Sequence, residues 1–481
     1  MAKEKKQFTD YFTDFAQKWV PDSYVIALVL TIVAFILALL FTSSGPLDTV
    51  IAWGNGFWTL LAFSMQMSLI VITGYALATT PVCTRLISSV CSKPNSPTAV
   101  YIYVVLLSAI GFYLNWGFGL VFAALICKNL AVQAERKHIL IDYRYLCGAA
   151  WTPFFIWHMG LSGSAPLLVA TADHFMVKEI GVIPISMTIF HPYNLILTIL
   201  SVIAILVLFG FVLQPKDKTK MISISQWNPE LANITTPVMP KKKDIKTPSE
   251  WVTYTPWCSY IIGCMFLVYL GYHFFVLGKS LDINVLNFLF LTLIIWLYGS
   301  PAALLQAVKA STPAAWGVIL QFPFYAGIYG IMKYTGLVDT IASWVIAFSN
   351  ETTFPAIAAI LTGIISYFIP SGGSKWVIEA PFLIPAGQAL GIPDAQTVIA
   401  YMFGGDLTAL VQPFFAVPFM AVCGLEFKDF VGYSFVAFIV LGIIMVVGLT
   451  VIPFAIWECK IVCVNRYCMN LLYAPYWGKQ R

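Results

Sequence analysis

Long apolar runs separated by short polar breaks occupy almost the whole chain. Runs at 24–42, 57–79, 143–172, 188–213, 252–278, 283–299, 314–333, 395–423 and 430–457 each reach the roughly 17–25 residues that a helix needs to cross hydrocarbon. Two more, 97–134 and 354–391, are longer and are interrupted near their centres. This pattern predicts an all-α polytopic membrane protein whose two longest runs fold as helical hairpins. A polar segment, Gln214 to Glu250, divides the chain into halves and holds Lys216, Lys218, Lys220, Lys241, Lys242, Lys243 and Lys246. The expected organisation is an interfacial segment at 1–22, a membrane repeat at 23–213, a linker at 214–250, a second repeat at 251–457 and a tail at 458–481.

Basic loops mark the cytoplasmic side of membrane proteins. That rule puts the N-terminus, the linker, Arg85, Lys93, Lys128, Arg136, Lys137 and Arg144 inside. Region 97–134 is then basic at both ends, so its hairpin is anchored in the cytoplasm. Region 354–391 is flanked instead by Asn350, Glu351 and Asp394, as a hairpin entering from outside would be. The same count leaves the C-terminus outside, against Lys460, Arg466, Lys479 and Arg481 of the tail. Phe8, Tyr11, Phe12, Phe15 and Trp19 recur at helical spacing, which predicts a helix lying on the cytoplasmic face. Met1 to Asp22 lacks the short apolar core of a cleavable signal peptide. The location these features predict is an inner membrane, crossed several times.

Composition supports a lipid environment. Charged residues make up 10% and hydrophobic ones 59%, whereas a soluble domain carries roughly 25% charged residues. The 15 Trp and 23 Tyr suit membrane–water interfaces. A net charge of +5 dispersed over loops argues against a nucleic-acid partner. Cys83, Cys91, Cys127, Cys147, Cys258, Cys264 and Cys423 stand singly in or beside apolar segments and read as small hydrophobes. Cys459, Cys463 and Cys468 form no CxxC pair, so no metal cluster is expected in the tail.

The halves echo one another. Phe63-Ser-Met-Gln66 precedes the first hairpin, and Ile319-Leu-Gln321-Phe-Pro precedes the second. The hairpins centre on Asn115-Trp116-Gly117-Phe118-Gly119 and on Pro370-Ser371-Gly372-Gly373-Ser374, 49 positions after Gln66 and 50 after Gln321. Each is followed by an interrupted span: Gly160-Leu-Ser162-Gly163-Ser164-Ala-Pro166, then Gly404-Gly405-Asp406-Leu-Thr408 running to Gln412-Pro413. An unpaired backbone group in hydrocarbon costs several kcal/mol, so such breaks persist where they line a polar cavity. The expected fold is two inverted repeats, each with a hairpin and an interrupted helix, whose broken elements meet near the midplane to hold an anion and a cation.

At these motifs the sequence resembles the bacterial short-chain fatty acid uptake transporter family. The resemblance runs from Trp19-Val-Pro-Asp22 to about Pro453, strongest at Trp53-Gly-Asn-Gly-Phe-Trp58, Met65-Gln-Met67, Asn115 to Gly119, Gln321 to Gly327, Pro370 to Gly373 and Gln412-Pro413. It implies uptake of small carboxylates such as acetoacetate or butyrate with H+ or Na+, no other cofactor, a homodimer, and a bacterial inner membrane as the location. The sequence departs from the family pattern in two places. Ser374-Lys375 stands where a third Gly and then His or Gln is common, and Glu379 stands where Gln is frequent. The tail beyond Trp457 also looks like an extension.

Asn115, Trp116, Gly117, Ser162, Gly163, Ser164, Ser371, Gly372, Gly373, Ser374, Lys375 and Gln412 are therefore the candidate substrate residues. Intramembrane ionisable groups are costly and usually functional. Lys375 and Glu379 lie one helical turn apart and read as a pair, with Lys375 facing the substrate carboxylate or Glu379 taking the coupling proton. Asp406, Glu379 and Thr408 are the ion-coupling candidates, and Asn115, Ser162 and Asp406 a candidate Na+ set. Asp406 serves equally as an N-cap of the next half-helix. His158 precedes the first break, while His174 and His191 flank a loop. Trp116, Phe118, Trp376, Phe322 and Phe324 are expected to wall an alkyl chain. A membrane-embedded enzyme is the alternative in a different class, but Gly160-Leu-Ser162-Gly-Ser164 lacks Gly-x-Ser-x-Gly spacing. A channel for small anions is the other.

Overall fold

The computed structural model describes residues 23–232, 244–369, 371–452 and 454. The expected interfacial helix at 8–20, Lys241, Lys242, Lys243, Pro370 and the tail beyond Phe454 lie outside the described residues. Numbering the helices of the two membrane halves, the first contains α1 (Ser23–Phe41), α2 (Pro46–Gly56), α3 (Leu61–Ala78), α4 (Pro81–Cys91), α5 (Pro97–Leu114), α6 (Trp116–Arg136), α7 (Tyr143–Trp151), α8 (Ser164–Val169) and α9 (Pro192–Val207). The second contains α10 (Trp257–Gly271), α11 (Ile283–Tyr298), α12 (Pro301–Ser311), α13 (Trp316–Thr335), α14 (Leu337–Ala347), α15 (Phe354–Phe368), α16 (Gly372–Ala389), α17 (Asp394–Ala409), α18 (Pro413–Cys423) and α19 (Val431–Val451). Among the described residues there is no strand. Among the described residues, seven helices are long and apolar enough to cross a membrane, or eight if 301–314 and 316–335, bent by 46°, form one span. The protein is thus an all-α, multi-pass membrane protein.

Local sequence signals start the helices. Thr80, Ser96 and Ser300 accept the N–H groups of Cys83, Ala99 and Ala303, and each is followed by a Pro at the first helical position. Such a cap is worth about 1 kcal/mol, and a leading Pro gives up only an N–H that no helix would have used. Both hairpins expected from the sequence are present, α5–α6 turning at Asn115 and α15–α16 turning near Ser371. The succession α3 to α9 matches α13 to α19 in kind: a long helix, an eleven-residue helix, a hairpin, a helix that stops short, a shorter continuation and a final span.

Burial sorts the helices into a shell and a core. α1 and α10 expose most of their surface, with Ile32, Leu40, Met265 and Val268 among the exposed side chains, as helices bathed in lipid do. α6, α16 and α17 are buried along nearly their whole length. The halves interlock: α2 and α1 pack on α13, and α6 packs on α18. Tyr298 of α11 donates to the Ala76 carbonyl of α3 at 2.7 Å.

One expected break moves. Gly404, Gly405 and Asp406 lie inside α17, which stays helical to Ala409, and the interruption falls at Leu410–Gln412. The residue before a proline disfavours the helical region, and Pro413 begins α18, so the chain unwinds there and not at the glycines. The first break is where the motif placed it. A 3-10 turn over Thr152–Ile156 leads into non-helical residues 157–163 before α8.

Candidate functional site

The hairpin tips, the unwound segment 157–163 and α13 converge on one cavity of about 460 Å³. Trp116, Ser164, Ser371, Gly372 and Gly373 of the predicted residues line it, together with Met67, Trp157, Gln321, Phe322 and Phe415. Both tips begin helices whose first N–H groups point out of the helix. Asn115 Oδ1 accepts the Phe118 N–H at 2.8 Å, and Ser162 Oγ accepts the Trp116 N–H at 2.9 Å. Ser371 Oγ accepts the Ser374 N–H at 3.3 Å and donates to Ser374 Oγ at 3.0 Å. Beyond these caps, the N–H groups of Gly372 and Gly373 have no hydrogen-bond partner among the described residues. The buried Ser164 Oγ, Trp116 Nε1 and Trp157 Nε1 have none either. The walls are thus largely apolar, with a few convergent donors, which suits a small amphipathic anion.

The second tip is pressed against the first half. A Cβ on Gly372 would lie 2.5 Å from the Trp157 ring, 2.9 Å from His158 Cε1 and 3.0 Å from Ser164 Oγ. Only a residue without a side chain allows that approach. Gly117 packs on Val71 of α3, and Gly163 lies over the His158 carbonyl.

Behind the cavity lie four buried ionisable side chains, His158, Lys375, Glu379 and Asp406. Asp406 Oδ2 accepts the backbone N–H of His158 at 2.9 Å, and Oδ1 stands 3.7 Å from His158 Nδ1. His158 Nε2 accepts the Ala165 N–H at 3.1 Å, which assigns the hydrogen of a neutral ring to Nδ1, toward Asp406. The ring stacks on Trp157 at 4.4 Å. Asp406 therefore does not cap its own half-helix. It holds the unwound backbone of the opposite half.

Lys375 and Glu379 do not pair within 4.0 Å among the described ion pairs; each reaches α15 at Thr362 instead. Thr362 Oγ1 donates to Glu379 Oε2 at 2.5 Å, and Lys375 Nζ donates to the Thr362 carbonyl at 3.5 Å. The ammonium sits 4.6 Å from the centre of the Tyr401 ring. It also fills the space beside Gly405, where a Cβ would be 2.5 Å from Nζ. Tyr401 in turn donates its hydroxyl to the Gly372 carbonyl, linking this cluster to the hairpin tip.

The remaining predicted residues take structural contacts. Thr408 Oγ1 donates to the Gly363 carbonyl at 2.7 Å, and Gln412 Nε2 donates to the Tyr367 carbonyl at 3.3 Å. Asn115 and Ser162 meet at the first tip, but no hydrogen bond joins Asp406 to either among the described residues. Of the aromatic wall, Trp116 and Phe322 line the cavity. Phe118 stacks on Phe122, Trp376 packs on Tyr401, and Phe324 turns away toward Tyr24 and Phe57. Gln66 also faces elsewhere, donating to Asn284 at 2.7 Å, unlike Gln321 of the second half. His174 bonds the Gly181 carbonyl, and His191 caps α9. A larger cleft of 880 Å³ runs along α15, α17 and α19, but its lining is nearly all apolar, and Ile360, Ile364 and Ile443 are exposed there. It offers a carboxylate almost nothing.

Three comparisons bear on this geometry. The sequence profile of the family described as short chain fatty acid transporter matches residues 5–452. A Haemophilus influenzae protein named, provisionally, as a short-chain fatty acid transporter is 37% identical over 448 residues, covering 91% of this chain and 98% of its own. An Escherichia coli K12 protein with the same provisional name is 34% identical over 440 residues, covering 92% and 98%. Among solved structures, the Neisseria gonorrhoeae antimetabolite efflux pump MtrF superposes with a TM-score of 0.51 at 13% identity, covering 94% of this chain and 97% of that one. The Alcanivorax borkumensis YdaH transporter gives 0.51 at 15%, covering 92% and 99%. These two likenesses speak to fold alone.

Proposed function

The chain belongs to the short-chain fatty acid transporter family, and from that premise we propose that it carries a short-chain carboxylate across a bacterial inner membrane together with a proton. The observation that carries this reading is the cavity between the hairpin tips, apolar on its walls, with the buried ionisable cluster immediately behind it. The substrate carboxylate takes the free N–H groups of Gly372 and Gly373 at the positive end of α16. Its alkyl chain lies against Trp116, Trp157, Phe322 and Met67.

The proton belongs to the cluster. One cation and two carboxylates leave room for one more positive charge beside a neutral His158. Around Asp406 the neighbours are donors, the His158 N–H and the ring face carrying Nδ1. A sodium ion needs a cage of oxygens, so the surroundings favour a proton over Na+. Substrate and proton converge on residues 157 and 158, because Gly372 abuts both of these side chains and Asp406 holds the backbone N–H of His158. That contact is the coupling route. We further read the matched series α3–α9 and α13–α19 as inverted repeats, with the N-terminus cytoplasmic and the functional unit a homodimer.

Ser371→Trp tests the cavity. The indole would fill the space beside Gly372, so uptake of labelled butyrate should fall to background while the purified protein keeps its monodisperse elution profile. Undiminished uptake would remove the second hairpin tip from the site.

A further inference from the structure

Outside the transport site, the sequence treats each thiol as an isolated hydrophobe, but the fold gathers three of them. Cys127 of α6, Cys147 of α7 and Cys423 at the end of α18 are fully buried, and their sulfur atoms all lie within 4.8 Å of one another. Cys127 and Cys147 are 3.4 Å apart. Cys423 comes from the other half of the chain, so the cluster joins both halves. Three sulfurs around one metal at about 2.3 Å stand about 4 Å apart in a plane, within the spread seen here.

The geometry points to a site for a monovalent copper ion held by Cys127, Cys147 and Cys423. Thiolates are soft ligands that select Cu(I) and Zn(II), and a structural zinc is nearly always four-coordinate. Among the described residues the group contains no fourth Cys, His, Asp or Glu, so the three-coordinate ion fits. Each ligating thiol gives up its proton, and Lys128, next to Cys127 and half-buried, supplies a nearby positive charge. Linker residues cover this end of the cluster. Gly424 follows Cys423 and accepts the Trp227 indole N–H at 2.9 Å, and Glu135 of α6 accepts from Ser223 and Ser225 at 2.6 Å each. Bound there, the ion clamps α18 to α6 and α7.

The test uses the full chain in detergent, reduced and oxygen-free, carrying Cys459→Ser, Cys463→Ser and Cys468→Ser so that tail thiols bind no metal. Cu(I) is titrated against bathocuproine disulfonate, with Zn(II) in a parallel arm. One copper per chain is expected, with three sulfur scatterers at about 2.3 Å in its X-ray absorption spectrum. Adding Cys423→Ser should lower the stoichiometry from one to none, while Cys264→Ser, whose thiol is exposed, should leave it at one. If the Cys423→Ser protein does not fold, the sulfur count of the parent protein decides alone. Absence of copper binding, tighter binding of zinc, retention of copper by Cys423→Ser, or a Cys127–Cys147 disulfide in the freshly purified protein would each overturn the site.

Discussion

Asp406→Asn is expected to abolish proton-driven accumulation of substrate while leaving a folded protein. Asparagine keeps an oxygen that can accept the His158 N–H now held at 2.9 Å, so the tie between α17 and the unwound segment survives. The change removes the ability to take and release a proton, together with the negative charge. With no proton coupled to the substrate, its accumulation under the proton gradient should fall to the equilibrium distribution. Exchange of external label against internal substrate should persist, because exchange moves no net proton. Accumulation equal to that of the unaltered protein would show that the coupling proton resides elsewhere.

Gly404→Leu is expected to prevent folding. In the tight packing of α15 on α17, a Cβ at Gly404 would lie 2.0 Å from the Ala359 carbonyl oxygen and 2.7 Å from its Cα. The obstacle is backbone, so no side-chain rotation relieves it. Overpacking of a core commonly costs about 1–3 kcal/mol, and here the helices themselves must separate, breaking the Thr408 to Gly363 and Ser366 to Gly405 hydrogen bonds. The control is Gly271→Leu in α10, where a Cβ meets nothing within 4 Å. Thermal unfolding in detergent should find the control unchanged and Gly404→Leu aggregated or absent. Equal unfolding temperatures would contradict the packing argument.

Hydrophobic run length made the membrane-spanning helices and both hairpins readable, because lipid enforces one simple rule on backbone polarity. It did not reveal α2, α4, α12 and α14, which have eleven residues each and are too short to register as spans. Three of them carry a start signal of cap followed by proline that run length does not use, at Gly45-Pro46, Thr80-Pro81 and Ser300-Pro301. The candidate site was partly readable. Unusual Gly and Ser at the hairpin tips marked the backbone that lines the cavity. What stayed hidden was pairing across the halves: His158 with Asp406 is a contact between residues 248 positions apart, and nothing local encodes it. Lys375 and Glu379 make no direct ion-pair contact among the described residues for a related reason, since the hydrogen-bond and ring partners that helical spacing alone does not show come from Thr362 and Tyr401 on neighbouring helices. The three thiols came together in the same way, from helices far apart in sequence.

The most direct test of proton-coupled carboxylate uptake is to reconstitute the protein in proteoliposomes and impose proton and sodium gradients separately, following labelled butyrate and acetoacetate. Accumulation above equilibrium driven by the inward proton gradient, with no response to sodium, is the expected result. Accumulation driven by sodium alone, or none under either gradient, would contradict the account.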